Sequence, residues 1–199
     1  MRREDLTELH FITSIANVPS ILQHGILSHR RAASLAHETI AMPEIQDRRR
    51  RKTVPGGRPL HEYANLYVNG RNKMMYKVKM SRGDTGLAIL RVDVMVLNLP
   101  GVVLATENAS SDYVRFARSP EGLGLIDKAT VLASSWTHPN DQVAEWRHGS
   151  AICAEVLVPD RVQPDHIQGA YVSCSQARSA LEAVAPGIEI HVNARLFFR

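Results

Sequence analysis

Residues 151–158 read A-I-C-A-E-V-L-V, and the reading of this run decides the fold. An apolar, partly β-branched run of this length suits a core strand, Ala151 to Val158. Two runs of the same kind follow, Ala170 to Cys174 and Glu189 to Phe198, with a Ser175-capped helix between them carrying Ala177, Leu181 and Val184. Upstream, Leu9 to Ile12, Asn65 to Val68, Met75 to Val78 and Leu87 to Val92 also read as strands. Asn17 sits where a helix N-cap belongs, with Pro19 in the first turn, Val18, Ile21 and Leu22 on one face and Gly25 at the stop. Ser110 to Arg118 and Pro139 to Arg147 read as helices, the second with Val143, Ala144 and Trp146 turned inward. Strands outnumber helices, and no regular helical crossovers separate them. That argues against a doubly wound parallel sheet and predicts an α+β fold, mostly antiparallel strands with helices packed around them.

The chain has 199 residues, 44% hydrophobic and 22% charged, which fits a single globular domain spanning 1–199. Aromatics are only 6%, so aliphatic side chains must build the core. No window is apolar enough to span a membrane, and the N-terminal M-R-R-E-D-L-T-E-L-H has no apolar signal region, so a cytoplasmic location is expected. Two cysteines, Cys153 and Cys174, form neither a disulfide framework nor a zinc spacing and read as reduced thiols; no metal is expected. Neither G-x-G-x-x-G nor G-x-x-x-x-G-K-[ST] occurs.

Several residues stand out chemically. Residues 28–60 form a long polar, Arg-rich segment with Pro43, Pro55, Gly56, Gly57 and Pro59, read as a functional loop with short helical pieces. Its run Arg48-Arg49-Arg50-Arg51-Lys52 is either a solvated patch or a phosphate-binding one, Arg being well shaped for phosphate. Glu155 places a carboxylate inside an apolar strand, which is costly without a partner. It either faces water at a sheet edge or points into a cleft. His10 is either a half-buried core histidine or a donor at a strand end. Tyr63 and Tyr67 suit a core, whereas the polar string Asn69-Gly70-Arg71-Asn72 suits a pocket wall.

The segments H-F-I-T-S-I-A-N-V-P-S-I-L-Q-H-G-I-L (10–27), P-E-I-Q-D-R-R (43–49), L-H-E-Y-A-N-L-Y-V-N-G-R-N-K-M-M-Y (60–76), E-N-A-S-S-D-Y-V-R-F (107–116), Trp136, A-E-V-L-V-P (154–159) and A-Y-V-S-C (170–174) occur in an order that resembles the DarT-type DNA ADP-ribosyltransferase toxins of bacterial toxin–antitoxin systems. The resemblance implies the ADP-ribosyltransferase fold, a split mixed β core around an NAD+ cleft. It implies transfer of ADP-ribose from NAD+ to a base of single-stranded DNA, with a macrodomain antitoxin as partner and a monomeric enzyme. Glu155 matches the family's catalytic glutamate; Arg48 matches best its active-site arginine, with Arg49 and Arg51 as alternatives. His10, Thr13, Asn17, Tyr67 and Arg71 correspond to NAD+ contacts, Phe11 being an alternative occupant of the His position. Arg49, Arg50, Arg51 and Lys52 would hold the DNA. The tract after His61 departs from the aromatic and proline pattern of thymidine-modifying members, which points to guanosine. Other readings are an RNA- or protein-directed transferase, an NAD+ hydrolase, or a non-catalytic nucleic-acid-binding module.

Overall fold

A computed structural model describes residues 1–199. Ten strands are present: β1 (Leu9–Ser14), β2 (Ile26–Leu27), β3 (Tyr63–Tyr67), β4 (Leu87–Val92), β5 (Val103–Ala105), β6 (Phe116–Arg118), β7 (Glu155–Pro159), β8 (Arg161–Val162), β9 (Ile167–Val172) and β10 (Ile190–Val192). Seven α-helices accompany them: α1 (Val18–His24), α2 (His29–Ala32), α3 (Pro43–Arg50), α4 (Lys73–Arg82), α5 (Lys128–Val131), α6 (Gln142–Ala151) and α7 (Ser175–Val184). Eight strands form one sheet in the order β10-β9-β4-β1-β3-β7-β5-β6, and β2 pairs with β8 beside it. Every neighbouring pair is antiparallel except β9–β10.

The pairing is uneven. β1 pairs with β4 along all six of its residues, and β3 with β7 along all five. Between β1 and β3 only His10 and Tyr67 are in register. The sheet is therefore two half-sheets joined at one row, and it splits beyond that row toward Ser14 and Tyr63. His10, Tyr67, Glu155 and Ala105 lie side by side in this row on four adjacent strands.

Aliphatic clusters hold the two halves. Leu9, Leu66, Val92, Val96, Leu104, Val156 and Val158 run across the junction on one face. Ala88, Leu90, Ala170 and Val172 meet Val18 of α1 and Ala177 and Leu181 of α7. On the opposite face Ile12, Tyr67 and Ile89 meet Met75 and Val78 of α4, Trp136 and the fully buried Phe197.

Several expected elements differ. Met75 to Val78 is helical, not a strand: the Asn72 side chain accepts the Met75 N–H, starting α4, and Gly83 ends it at φ +76°. Ser110 to Arg118 is not a helix; local Asn108 and Ser111 turns lead into β6. Residues 151–154 belong to the end of α6 and its exit turn, so β7 starts only at Glu155. α6 starts at Gln142 because Asp141 accepts the Ala144 N–H, and Val143 and Trp146 face outward, not into the core. After β10 the chain turns helical at 194–197, ending the expected Glu189 to Phe198 strand early. Cys174, not Ser175, occupies the N-cap of α7, and Val184 is exposed. The long segment 28–60 carries α2 and α3, so Arg48, Arg49 and Arg50 are helical. No helix is long and apolar enough to cross a membrane.

Gly25 closes α1 at φ +84°, and a Cβ there would lie 2.1 Å from the Val162 carbonyl oxygen of β8. Gly25→Ala is therefore expected to lose about 2–4 kcal/mol of stability in urea unfolding, through the left-handed backbone and that clash. A loss below about 1 kcal/mol would show that the β2–β8 pair yields easily.

Candidate active site

The split opens into a cleft of ≈ 1120 Å³, above the roughly 300–1,000 Å³ usual for small-ligand sites. Its lining comes from Phe11 and Thr13 of β1, Tyr63, Asn65 and Tyr67 of β3, the segment 37–42, Arg48 and Arg49 of α3, the turn 106–113, and α6.

Directly behind the lining residues Arg49 and Tyr67, and not itself part of the lining, lies Glu155, whose side chain is wholly buried. Arg49 Nη1 donates to both carboxylate oxygens, at 3.1 Å and 2.9 Å, and the Ala109 N–H donates to Oε1 at 3.0 Å. Both donors are held locally. Asn108 Oδ1 accepts from the N–H and Oγ of Ser110, a turn that directs the Ala109 amide inward. Arg49 follows the partly buried Ile45 by one helical turn, so the packed side of α3 carries it to the sheet. With Nη1 committed to Glu155, no protein acceptor meets Nε or Nη2, and neither is a sealed, unpartnered atom. Arg49 itself is among the residues that line the cleft.

The surroundings favour a polar ligand over a side-chain nucleophile. Burial pushes the Cys153 thiol up to about 11, so it stays protonated and unreactive. Burial first, then the Glu155 charge, raises the Tyr67 phenol well above its ordinary range. No group of three or more His, Cys, Asp or Glu side chains gathers in a way that could hold a metal ion.

The structure redistributes the predicted site residues. Of the basic run, Arg49 is the one on Glu155; Arg48 lines the cleft with an exposed side chain. Arg49 is 6% exposed and Lys52 donates to the Ser111 carbonyl, so neither is a free phosphate contact. Arg50 pairs with Asp47, and Arg51 is exposed. Thr13 and Asn17 line the cleft, but the Asn17 amide is engaged: it donates to Thr13 Oγ1 and the Glu38 carbonyl and accepts the Glu38 N–H. Glu38 also accepts from Ser14 Oγ at 2.6 Å, so Asn17 and Ser14 clasp the segment that walls the cleft. Tyr67 lies beside Glu155 in the shared row.

Two expected contacts fall outside. His10 does not line the cleft; its Nε2 bonds Glu8 at 3.1 Å, and Phe11, Ile12 and Thr13 do the lining. Arg71 donates to the Ser134 and Arg195 carbonyls and stacks over Phe198, which makes it a brace for the C-terminal turn. Sequence reasoning missed Glu38, the Asn108–Ser110 turn and the cleft-facing stripe of α6. A signal existed for the second, because N-A-S at 108–110 is Asx-turn chemistry.

The family model described as "ssDNA thymidine ADP-ribosyltransferase, DarT" matches residues 10–197. The chain belongs to the DarT family. A curated DNA ADP-ribosyl transferase–DNA ADP-ribosyl glycohydrolase fusion protein from Thermosipho africanus (strain H17ap60334) is 32% identical over 183 residues, covering 88% of this chain and 45% of that protein. A DNA ADP-ribosyl transferase from Thermus sp. (strain 2.9) is 28% identical over 142 residues, covering 67% of this chain and 68% of its own. The structure of Thermosipho africanus DarTG in complex with ADP-ribose superposes with TM-score 0.83 at 28% identity, over 97% of this chain and 51% of that one. Thermus sp. 2.9 DarT in complex with ADP-ribosylated ssDNA gives TM-score 0.83 at 23% identity, over 96% of both chains, and shares the fold. The chain thus spans about half the length of the Thermosipho relatives it matches, and the split mixed sheet is the DarT ADP-ribosyltransferase fold.

Arg49→Ala leaves a buried carboxylate with one backbone donor and is expected to cost about 3–5 kcal/mol. The double variant with Glu155→Gln should recover part of that loss in a double-mutant cycle; strict additivity would dissolve the pair as a structural unit. His61 bonds Gln46 of α3 at 3.1 Å and packs its ring 4.1 Å from His29. Burial first, then the charges of His29, Arg49 and Arg50, lowers His61 to about 4. The unfolded chain therefore takes up a proton before the folded one, and stability falls as pH drops from about 6.5 toward 4. His61→Gln should shrink the fall in urea midpoint between pH 7.5 and pH 5; an undiminished fall would place the acid sensitivity elsewhere.

Proposed function

We propose that this chain transfers ADP-ribose from NAD+ to a base of single-stranded DNA and releases nicotinamide. One observation supports this most: a fully buried carboxylate, Glu155, sits directly behind Arg49 and Tyr67, which line a large cleft, and is held by a strand and that one arginine. Cleaving the nicotinamide–ribose bond leaves positive charge on the anomeric carbon and ring oxygen. A preorganised carboxylate stabilises that charge and accepts a hydrogen bond from a ribose hydroxyl, and a strand-held group needs little reorganisation. Glu155 takes this role.

Arg49 takes the arginine role that Arg48 matched by sequence. Arg49 lines the cleft, and its Nε and Nη2, which no protein acceptor meets, can orient an incoming base. As a guanidinium with five donors and no acceptor it is no general base. Arg48 takes an outer position as a cleft-wall cation. Thr13, Asn17 and Tyr67 shape the dinucleotide subsite, Asn17 by fixing Glu38 and its segment.

The tract 63–76 favours guanosine as the target, whereas the family model's description names thymidine. The Thermosipho relative's name couples a DNA ADP-ribosyl transferase to a DNA ADP-ribosyl glycohydrolase in one protein. We read the present chain as a toxin that works beside an ADP-ribose-removing partner of that kind, a macrodomain antitoxin.

The test is to incubate the protein with NAD+ and oligonucleotides containing one guanosine or one thymidine and to read mass gain by one ADP-ribose. Glu155→Gln is expected to lose about 10²–10³-fold or more in rate; because it also removes the charge partner of Arg49, its urea midpoint falls, and the rate is read at a temperature where the variant remains folded by circular dichroism. Absence of any DNA adduct despite NAD+ binding would sink the proposal, and an adduct only on RNA would move the acceptor.

A further inference from the structure

The cleft-facing stripe of α6 is unexplained by the chemistry at Glu155. Val143, Trp146, Arg147 and Ser150 recur at helical spacing and all line the cleft. Gly149, which also lines the cleft, packs so closely that an added Cβ would lie 2.9 Å from Lys73 Nζ and 3.2 Å from Trp136, and on the other side of the helix His148 Nε2 bonds the Thr130 carbonyl at 3.0 Å. The helix is thus fixed, yet Trp146 is 62% exposed and Val143 53%. Tyr113, on the turn before β6, lines the same cleft and is 86% exposed. Exposed cations accompany these rings: Arg147 beside Trp146, Arg115 two residues after Tyr113, and Arg48 on α3.

Position separates this stripe from the reacting centre. The Ser150 carbonyl accepts the Asn108 N–H next to Ala109, so Ser150 stands at the floor. Trp146 lies one helical turn farther out, about 6 Å along the axis. Rigid aromatic faces with neighbouring guanidinium groups, placed outside the reaction centre, suit unstacked bases joined by phosphates.

We propose that Trp146 and Tyr113 are base-stacking platforms, and Arg147 and Arg115 phosphate contacts, for the nucleotides flanking the modified base. The proposal rests on the reading of the cleft as a DNA ADP-ribosyltransferase site. It assigns strand binding to α6 and the 106–115 turn, and not chiefly to the run 48–52.

The experiment compares wild type with Trp146→Ala, Tyr113→Ala and Trp146→Phe. For an oligonucleotide of about ten residues, each Ala variant should raise KM roughly 5- to 100-fold, the range for losing one stacked base. Trp146→Phe should restore most of the affinity, and KM for NAD+ should stay within twofold. On a trinucleotide, too short to occupy the flanks, wild type and variants should converge. Arg147→Gln should flatten the salt dependence of binding by about 0.7 in log–log slope. Oligonucleotide should also quench tryptophan fluorescence without NAD+, and Trp146→Leu should abolish that change. DNA KM values within twofold of wild type in both Ala variants would overturn the proposal. So would a KM for NAD+ rising in parallel, which would put the ring on the dinucleotide. If wild type forms no DNA adduct, the functional reading fails, while the fluorescence arm still decides whether the rings bind single strands.

Discussion

One register pair, His10 with Tyr67, carries the junction between two half-sheets, and the cleft exists because no second pair follows it. A sheet paired continuously from β4 through β7 would close the gap between Thr13 and Asn65. Here β1 gives its full length to β4, and β3 gives its full length to β7. Beyond the junction the two strands diverge, leaving facing backbone edges that elsewhere would be an aggregation hazard. The segment 37–42 and α3 cover that opening, and the Asn17–Glu38 clasp keeps the cover in place. The aliphatic cluster from Leu9 through Leu66 to Val156 holds the halves together on the far side.

The same row explains the placement of charge. Glu155 is the strand residue beside Tyr67, so its carboxylate is buried where the sheet begins to open. A buried carboxylate requires a partner, and none is available on the neighbouring strands, which present Tyr67 and Ala105. The arginine must come from another element. That requirement gives the long, polar 28–60 segment its shape: α2, the clasped strap and α3 carry a guanidinium across the opening to the opposite half-sheet. The Ala109 amide supplies the second donor from the other side. Stability and site geometry therefore share one ion pair, and a change that loosens α3 affects both.

Part of the strand framework is legible in the sequence, because β4 and β7 are mostly apolar, buried runs, and β1 and β9 each carry a shorter apolar stretch. Misreadings arise where tertiary packing overrides a short apolar pattern. Met75 and Val78 look like strand residues, yet they are the buried side of a helix announced by Asn72 and Gly83. Trp146 looks like core because large aromatics usually are, and only the structure shows that its helix turns that side to the cleft. Glu155 is readable as a candidate because a carboxylate in an apolar run is costly. Which of Arg48, Arg49 and Arg51 meets it depends on helical phase. Pro43 at the start of α3 and Ile45 on its packed side fix that phase, and one turn from Ile45 is Arg49.

Helical phase also separates the two roles that a run of cations invites. Adjacent arginines on a helix point about 100° apart, so they cannot all face one ligand. In α3 the consequence is a division: Arg49 turns to the sheet, Arg48 to the cleft, and Arg50 to Asp47 at the surface. Lys52 then ties the helix end to the Ser111 carbonyl. A run that reads as a single patch is therefore divided in three dimensions: Arg49 is buried on Glu155 and Lys52 is tied to Ser111, while Arg48, Arg50 and Arg51 stay exposed. The surface proposed above to meet a strand is where aromatic and cationic side chains are exposed together, on α6 and before β6. Charge density along a sequence indicates partners only after the helix carrying it has been oriented.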